Sequence, residues 1–192
     1  MAAEVSAGAL VVVVGPSGAG KDSVIGFALG ALAGRSDIHR VRRVITRAED
    51  AGGEDHEAVS PAEFKQRNFA GAFAVSWHAH GLDYGIPVEA VGRLRNGEIL
   101  IANGSRAALS RFRKVFGRLT VVNITASPEV LASRLAARGR ESREEILARL
   151  QRRVPDIVDG LDVMTIDNSG PLEQAGARFA ELLASLREPA EP

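Results

Sequence analysis

Apolar runs alternate with amphipathic segments along the chain, which predicts strands alternating with helices. The run 10–14, one leucine and four valines, is typical of a strand covered on both faces. Segment 22–33 has apolar residues at helical spacing and predicts a helix that ends at Gly34. Further strands are predicted at 38–45, 73–80, 98–102, 119–125 and 162–167, with a short strand after the turn at 81–85. Further helices are predicted at 61–68, 87–96, 105–116, from 127, at 142–154 and at 171–186.

Serine caps mark three of the predicted helix starts. Ser60-Pro61-Ala62-Glu63 and Ser142-Arg-Glu-Glu145 have the spacing of a capping box, in which serine and glutamate satisfy backbone N–H groups of the first turn. Ser127-Pro128 places proline at the first helical position, where no N–H is needed.

The order of these elements predicts an α/β fold. Strands that alternate with helices form a central parallel sheet with helices on both faces, a three-layer sandwich. A small antiparallel excursion at 56–86 would be an inserted substrate-binding lobe. We expect one domain over 8–187, with an acceptor-binding lobe at about 46–86 and a helical lid at about 134–150. The ends, 1–7 and 188–192, are expected to be flexible.

Composition narrows the class of partner. The chain has 192 residues, and its 24 Lys plus Arg balance its 24 Asp plus Glu. A net charge of zero argues against a nucleic-acid partner. The absence of cysteine excludes disulfides and fits a reducing cytoplasm. The apolar stretch 9–14 is too short to span a bilayer, and the N-terminus lacks a basic leader, so we expect a cytoplasmic protein without a membrane partner. The oligomeric state stays open, with a homodimer among the options.

A glycine-rich turn closed by a lysine follows the first strand. The spacing Gly15-x4-Gly20-Lys21 is that of a phosphate-binding loop, whose backbone N–H groups surround phosphate oxygens at the start of a helix. The alternative is a glycine turn without a ligand, which the strand before it and the lysine within it disfavour. The residues expected to hold the donor phosphates are Gly15, Pro16, Ser17, Gly18, Ala19, Gly20, Lys21, Asp22 and Ser23.

One position departs from the usual loop. The residue after the lysine is normally Ser or Thr, whose hydroxyl binds Mg²⁺. Here Asp22 stands in that position and Ser23 follows it. A carboxylate is a strong ligand for Mg²⁺ but adds negative charge beside a polyphosphate. Either Asp22 or Ser23 is therefore the expected metal ligand, and the sequence leaves the choice open.

Arginines cluster again near the end of the chain. Arg138, Arg140 and Arg149 lie on two capped helices and the glycine joint between them. A phosphoryl-transfer enzyme needs cations that close over the transferring group, so these arginines are expected to form a catalytic lid together with Lys21 in the loop. The alternative is a solvated helical face with ion pairs between neighbouring turns.

The inserted lobe is rich in polar residues. Arg47 is expected to bind a substrate phosphate through two parallel hydrogen bonds. His78 and His80 alternate along one strand without a third ligand and are interpreted as ordinary polar residues, and Trp77 as a core residue. Asp55 is a candidate general base, but no feature of the sequence distinguishes it from the other carboxylates. Because a phosphate is already a good nucleophile, the lack of a clear base favours a substrate that accepts phosphate on a phosphate.

The order of motifs resembles the guanylate kinase family over nearly the whole chain. The shared features are the loop Gly-Pro-Ser-Gly-x-Gly-Lys, Thr46-Arg47 before a glycine-acid loop, Gly81-x-x-Tyr84-Gly85, and Arg138-Gly139 followed by Arg149. Guanylate kinases transfer phosphate from ATP to the phosphate of GMP. The resemblance implies that Arg47 and Tyr84 hold the acceptor phosphate and that Arg138 and Arg149 belong to the lid.

The residues with which guanylate kinases recognise guanine are replaced in this chain. Ser76 matches the family's base-binding glutamate, Ile86 matches its serine after Tyr-Gly, and Asn103 lies where a strand-end aspartate is expected. His56 matches a phosphate-binding tyrosine, and Asp50 matches the second arginine. A site without carboxylate partners for guanine would lose a factor on the order of 10⁴ in its selectivity for guanine.

What remains resembles the ribose 1,5-bisphosphate phosphokinase family. The matching runs are Gly20-Lys21-Asp22-Ser23, Gly52 to His56, Ser76 to Pro87, Asn103-Gly104-Ser105-Arg106 and Arg138 to Ser142. The implied reaction uses ATP and Mg²⁺ to convert ribose 1,5-bisphosphate, a sugar phosphate, to phosphoribosyl pyrophosphate. The residues expected to line the acceptor site are Arg47, Glu54, Asp55, His56, Ser76, Tyr84, Asn103, Ser105 and Arg106.

Two alternatives to this reaction stay open from the sequence. One is a nucleoside-monophosphate kinase with altered base choice. The other is a guanylate-kinase-like binding module that has lost catalysis, which the retained Lys21 and lid arginines disfavour.

Overall fold

The computed structural model describes residues 8–48, 54–116, 119–137 and 161–186. The described strands are β1 Ala9–Val14, β2 Ile38–Arg40, β3 Arg43–Ile45, β4 His56–Ala58, β5 Phe73–Ala79, β6 Leu82–Pro87, β7 Ile99–Asn103, β8 Leu119–Thr125 and β9 Val163–Asp167. The described helices are α1 Lys21–Ala31, α2 Pro61–Phe69, α3 Glu89–Arg95, α4 Leu109–Val115, α5 Pro128–Ala136 and α6 Leu172–Ser185.

The main sheet is parallel and has the order β2-β7-β1-β8-β9, which confirms the predicted α/β fold. β1 lies at its centre and every residue of β1 is buried. Val11 and Val13 pack with Phe179 on one side of the sheet, whereas Leu10 and Val12 pack with Phe112 on the other. Alternate residues of β1 therefore serve two separate cores, which explains its unbroken apolar run.

A second sheet of four strands, β4-β3-β6-β5, forms the inserted lobe. β6 pairs antiparallel with both β3 and β5, but β3 and β4 are parallel, so the lobe is not purely antiparallel as predicted. The strand β4 lies where the sequence predicts no strand. Three residues of polar or small type carry too little hydrophobic alternation to indicate a strand, and β4 is held instead by its pairing with β3.

The predicted strand 38–45 is wrong as a single element. Its first part, β2, pairs with β7 in the main sheet, and its second part, β3, pairs with β6 in the lobe. Val41 still donates its N–H to the carbonyl of Ile101, after which the chain leaves the main sheet. Residues 38–45 therefore carry the chain from one sheet into the other.

The serine caps are confirmed at two helices. The Ser60 and Ser127 hydroxyls accept hydrogen bonds from the N–H groups of Glu63 and Val130 at the starts of α2 and α5. Pro87, predicted to start a helix, instead ends β6, and the predicted helix 105–116 begins with a 3₁₀ turn at Arg106–Ala108. The third predicted cap and the helix 142–154 lie outside the described residues. No helix in the described part of the chain is long and apolar enough to cross a membrane.

The lobe packs directly onto the main sheet. Val75, Trp77 and Ile86 of the lobe share a hydrophobic cluster with Leu10 and Phe112 of the main body. Trp77 is buried and its ring lies 5.6 Å from that of Phe112, which confirms its predicted place in the core. This shared core fixes the lobe strands relative to the carboxyl ends of the parallel strands, where ligands bind in open α/β sheets.

Candidate active site

The phosphate loop connects β1 to α1 at the carboxyl edge of the main sheet. Gly20 has φ +84° in the left-handed region, and a Cβ there would lie 2.5 Å from the amide nitrogen of Asn168. Gly15 is packed closely as well, since a Cβ there would lie 2.1 Å from the carbonyl oxygen of Ile124. The Lys21 ammonium donates to the carbonyls of Gly15 at 2.9 Å and Pro16 at 3.1 Å. The loop and its lysine thus form the compact turn that the spacing predicts.

A cavity of about 400 Å³ opens beside this loop. Asn168 fixes its wall, because its side-chain amide donates to the carbonyl of Ala19 at 2.8 Å. Arg134 donates to the Asn168 carbonyl at 3.0 Å. Asn168 Oδ1 and Arg134 Nη1 are buried without a hydrogen-bond partner among the described residues. The cavity is lined by Gly18, Gly20, Ser23, Arg134, Ala137, Asn168 and Leu172.

Asn168 and Arg134 were not among the predicted site residues. Asn168 follows β9 directly, and its N–H donates to the Thr125 carbonyl at the end of β8. A polar residue just after a parallel strand was the available signal, because such ends meet at one edge of the sheet. Arg134 lies at the start of the predicted lid, 134–150, but its position on a helix does not by itself show that it faces the loop.

Asp22, the unusual residue of the loop, joins the start of α1 to the ends of β2 and β7 in the main sheet. Its Oδ1 accepts a hydrogen bond from Arg40 at the end of β2 and another from the Asn103 side chain at 2.7 Å. Arg40 also lies 3.8 Å from a carboxylate oxygen of Glu54. The other oxygen of Asp22, Oδ2, makes no hydrogen bond to the described part of the chain. The carboxylate therefore binds Arg40 and Asn103 with one oxygen, and the second oxygen is left for another group.

Three arginines converge on one buried carboxylate in the lobe; we call Arg40, Arg43 and Arg47 the arginine cluster. Glu54 is only 9% exposed. Arg43 donates hydrogen bonds to its carboxylate from Nε, at 2.7 Å, and from Nη2. Arg47 Nη2 lies 4.0 Å from the same carboxylate. With Asp22 and Glu54 as its only carboxylate partners in the described chain, the cluster has an excess of positive charge. Such a surplus of guanidinium groups suits a phosphate.

Arg43 also covers the two aromatic rings of the lobe. Trp77 and Tyr84 are opposite each other on β5 and β6, with ring centroids 5.3 Å apart and planes inclined by 7°. The Arg43 guanidinium lies 5.0 Å from the Tyr84 centroid and 5.8 Å from the Trp77 centroid. It donates in addition to the Asn103 carbonyl at 3.1 Å. A single cation is thus held between the aromatic pair, Glu54 and the end of β7.

His56 is buried beside the arginine cluster and contacts mostly backbone. Its Nδ1 lies 2.8 Å from the Glu54 carbonyl and its Nε2 lies 3.1 Å from the Arg47 carbonyl. The Arg47 guanidinium is 3.4 Å from the same ring. His56 therefore ties together the two chain segments that carry Glu54 and Arg47.

Two predicted acceptor residues lie near the end of β7. Arg106 donates to the Asn123 side chain at 2.9 Å, and burial lowers the pKa of its guanidinium. Its Nε has no partner in the described part of the chain. Ser105 precedes it at the start of the 3₁₀ turn. A partly desolvated cation that has an N–H donor without a partner is stabilised when it binds an anion.

Two other predicted acceptor residues lie apart from the arginine cluster. The Asp55 side chain is 78% exposed and pairs with the exposed Arg42. Ser76 lies between Val75 and Trp77, which both point into the core, so its side chain is on the other face of β5. His78 pairs with Asp83 at the exposed end of the hairpin, as an ordinary polar residue would. The lid arginines Arg138, Arg140 and Arg149 lie outside the described residues.

The arrangement brings two anion-binding regions together. The loop with Lys21 lies on one side, the arginine cluster lies on the other, and Asp22 with Asn103 connects them. In the described chain no group of three or more His, Cys, Asp or Glu residues is placed to hold a metal ion by protein ligands alone. The chemistry that fits is transfer of a group between two phosphate-bearing ligands.

Comparisons with known proteins agree with this geometry. No family model matches the chain. It is 53% identical over 183 residues to a protein of Agrobacterium fabrum named ribose 1,5-bisphosphate phosphokinase PhnN, covering 95% of this chain and 100% of the relative. A protein of Rhizobium etli with the same name is 52% identical over 179 residues, covering 93% and 91% of the two chains.

The fold also matches that of a solved kinase. The crystal structure of guanylate kinase from Anaplasma phagocytophilum superimposes with a TM-score of 0.70 at 19% identity. The match covers 96% of this chain and 89% of the other. At that identity the likeness concerns the fold alone.

Proposed function

The chain belongs to the ribose 1,5-bisphosphate phosphokinase family, and we propose that it phosphorylates ribose 1,5-bisphosphate with ATP to give phosphoribosyl pyrophosphate and ADP. The observation that carries the proposal is the connection made by Asp22. Its carboxylate binds Arg40 and Asn103 directly beside Lys21, so a donor in the loop and an acceptor at the arginine cluster would be neighbours.

The donor half of the proposal concerns the phosphate loop and the cavity beside it. The ATP phosphates would lie on the backbone N–H groups of 15–23, with Lys21 leaving its loop carbonyls to neutralise the outer phosphates. The nucleoside would enter the cavity of about 400 Å³, where Asn168 Oδ1 and Arg134 Nη1 have hydrogen-bonding capacity to spare. That cavity touches the loop at Gly18 and Gly20, which gives one molecule access to both regions.

The loop also fits Mg²⁺. This ion is usually held by one or two protein oxygens together with phosphate oxygens and water, so a group of three protein ligands is not needed. Asp22 Oδ2 and the exposed Ser23 hydroxyl are hard oxygen donors at the right end of α1. When bound, Mg²⁺ would supply charge neutralisation on the donor phosphates. Asp22 would then bind the metal with one oxygen and Arg40 and Asn103 with the other.

The acceptor half concerns the lobe and the end of β7. Ribose 1,5-bisphosphate has two phosphates, which matches the excess of guanidinium groups. Arg47, Tyr84 and the desolvated Arg106 would bind acceptor phosphate, while Asn103 and Ser105 would offer neutral hydrogen bonds. Ser76, whose side chain is on the other face of β5, faces away from this site. Glu54 and His56 would hold the arginines in place, as their present contacts do. Asp55, exposed and paired with Arg42 apart from the arginine cluster, has no direct role in this proposal.

The transfer itself needs little covalent help from the protein. An oxygen of the anomeric phosphate attacks the γ-phosphorus of ATP, a new P–O bond forms, and the bond from that phosphorus to the ADP oxygen breaks. The attacking oxygen has no proton to lose at neutral pH, so no base is required. Lys21 would neutralise the transferring group, and Arg138, Arg140 and Arg149 are proposed to close over it and exclude water.

The test is ADP release with ribose 1,5-bisphosphate, GMP and AMP offered in parallel, with the phosphorylated product followed by ³¹P NMR. We expect turnover with the sugar bisphosphate and a new pyrophosphate signal in amount equal to the ADP. Inorganic phosphate in place of that signal would mean ATP hydrolysis without transfer. A preference for GMP would overturn the proposal in favour of a nucleoside-monophosphate kinase, and no turnover with any acceptor would favour a binding module.

A further inference from the structure

Arg106 reaches across the carboxyl end of the central strand β1. It follows β7, and its Nη2 donates to Oδ1 of Asn123 on β8 at 2.9 Å. β7 and β8 are the two neighbours of β1 in the sheet, and Asn123 is in register with Val14, the last residue before the phosphate loop. The Gly104 N–H, two residues before Arg106, donates to the Val13 carbonyl at 2.9 Å. The guanidinium is therefore held where the phosphate loop begins.

This pair of side chains lies on the face of the main sheet that carries the lobe. Val122 and Ile124 pack in the core cluster of α1 and α6, so Asn123 between them is on the other face of β8. Val121, on that same other face, shares a core cluster with Trp77 of the lobe. The donor cavity is lined instead by residues of α1, α5 and α6. The pair therefore lies on the acceptor side of the phosphate loop.

The positive charge of Arg106 is not compensated by an acidic partner. Asn123 is neutral and 9% exposed, whereas the partner of Arg43 is the carboxylate of Glu54. Burial lowers the pKa of the Arg106 guanidinium, and no acidic group among the described residues acts in the opposite direction. Its Nη1 makes no hydrogen bond to the described chain and, unlike Nε, is not buried. Nη1 is therefore open to an anionic ligand.

We propose that Asn123 is a positioning residue that holds Arg106 over the end of β1 through a neutral oxygen, so that the guanidinium keeps its charge for an acceptor phosphate. This inference rests on the proposed function and assigns a role to a residue outside the expected site. A carboxylate at position 123 would hold the arginine equally well, but it would neutralise the guanidinium and repel phosphate. An apolar residue there would leave Nη2 without its partner.

The test compares Asn123→Asp with the wild type in binding and in stability. Titration calorimetry without ATP gives the affinity for ribose 1,5-bisphosphate, and a separate titration gives the affinity for ADP as the donor-side reference. We expect the affinity for ribose 1,5-bisphosphate to fall at least about tenfold while that for ADP stays within about twofold. The midpoint of urea unfolding should stay the same or rise, because the aspartate would pair with a guanidinium that lacks an acidic partner in the described chain. A residue that only supports the fold would not produce this combination.

Asn96→Asp is the matched control, because it adds the same charge at the opposite edge of the main sheet. Asn96 is exposed at the end of α3, close to Leu94, whose carbonyl accepts a hydrogen bond from Gly8 just before β1. The control should change neither affinity. In Asn123→Asp, an unchanged affinity for ribose 1,5-bisphosphate, or an equal fall for both ligands, would overturn the proposal.

A double-mutant cycle covers the case in which Asn123→Asp does not fold. Asn123→Ala should weaken binding of ribose 1,5-bisphosphate in the wild type but have no further effect in Arg106→Met, because the asparagine acts only through the arginine. Losses that add in the double variant would contradict the proposal.

Titration of GMP in parallel separates this proposal from the proposed function. If the wild type bound GMP and not ribose 1,5-bisphosphate, the proposed function would fail, whereas a tenfold weaker binding of GMP to Asn123→Asp would still support the role of Asn123. A wild type that binds neither ligand would count against both proposals.

Discussion

Arg40 donates a hydrogen bond to the carboxylate of Asp22 and so connects the end of β2 to the first turn of α1. The Asn103 side chain donates to the same oxygen at 2.7 Å. Asp22 is the residue at which the phosphate loop departs from the usual sequence. Asp22 thus connects the loop to Arg40, which also lies 3.8 Å from the Glu54 carboxylate of the acceptor region.

Asp22→Asn should therefore reduce activity far more than stability. An asparagine has the same size and can still accept one hydrogen bond, but it cannot neutralise Arg40. Because the side chains of the Arg40–Asp22 pair are 22% and 42% exposed, solvent screens it, and we expect less than about 1 kcal/mol of lost unfolding free energy. We expect kcat/KM for the acceptor to fall at least tenfold, measured by coupled ADP release, with denaturant unfolding measured on the same samples.

Asp37→Asn is the matched control for this substitution. Asp37 pairs with Arg35 through two hydrogen bonds of 2.7 and 2.8 Å just before β2, at the opposite end of the main sheet from the loop. The control should cost a similar small amount of stability and leave kcat/KM unchanged. Equal activity of the two variants would show that Asp22 has no part in joining the donor and acceptor regions.

Lys21→Ala should abolish turnover while the protein stays folded. The ammonium lies over the loop carbonyls of Gly15 and Pro16 and is the loop's own cation for the donor phosphates. Loss of one such electrostatic contact lowers kcat by about 10² to 10³ in other enzymes. Circular dichroism should match the wild type, and the exposed Lys114→Ala on α4 is the control. Activity of Lys21→Ala within a few-fold of wild type would contradict the proposed mechanism.

The sequence was sufficient for the features that depend on local pattern. β1 needs a continuous apolar run because both of its faces are covered, and the phosphate loop needs its glycines at fixed spacing. The caps at Ser60 and Ser127 involve residues three positions apart and were predictable for the same reason. These predictions hold because the physical cause of each feature spans only a few residues.

The features that the sequence did not predict depend on pairing between distant segments. Arg43 and Glu54 are eleven positions apart and become partners only because β3 and β4 lie side by side. Asn168 reaches Ala19 across 149 positions because β9 ends at the same edge as β1. Residues 38–45 divide between two sheets for a similar reason, since the break is set by partners on β7 and β6 and not by their own pattern.

Glu98 should contribute to the loss of stability in acid. Its pKa is lowered chiefly by the hydrogen bonds from Arg93, at 2.6 and 2.8 Å, with a further contribution from the nearby His39. A carboxyl group with a depressed pKa in the folded state stabilises the protein above its unfolded pKa of about 4.3, and this contribution is lost as the pH falls through the lower folded value. Glu98→Gln should thus be less stable than wild type at pH 6 and approach it near pH 3.

The measurement for Glu98 is urea unfolding at a series of pH values between 3 and 6, in low and in high salt. Because the group is exposed enough to be screened, the difference between wild type and variant should shrink in high salt. The exposed Glu181→Gln on α6 is the control and should show no such pH dependence. A difference that stays constant from pH 6 to pH 3 would mean that the Arg93 contact does not depend on the charge of Glu98.

Two glycines near the start of the chain should respond to alanine in opposite directions. Gly20 has φ +84°, and a Cβ there would meet the Asn168 amide at 2.5 Å, so Gly20→Ala must strain the backbone and disturb the cavity wall. Gly30 lies within α1 at an ordinary helical φ with no atom within 4 Å of the added Cβ. Gly20→Ala should lose about 2 kcal/mol of unfolding free energy, and Gly30→Ala should gain about 0.5 to 1 kcal/mol. Urea unfolding measures both changes, and a fluorescent ATP analogue should bind normally to Gly30→Ala but weakly to Gly20→Ala. Equal stability and equal ATP affinity of the two variants would exclude Gly20 as the residue whose conformation shapes the donor site.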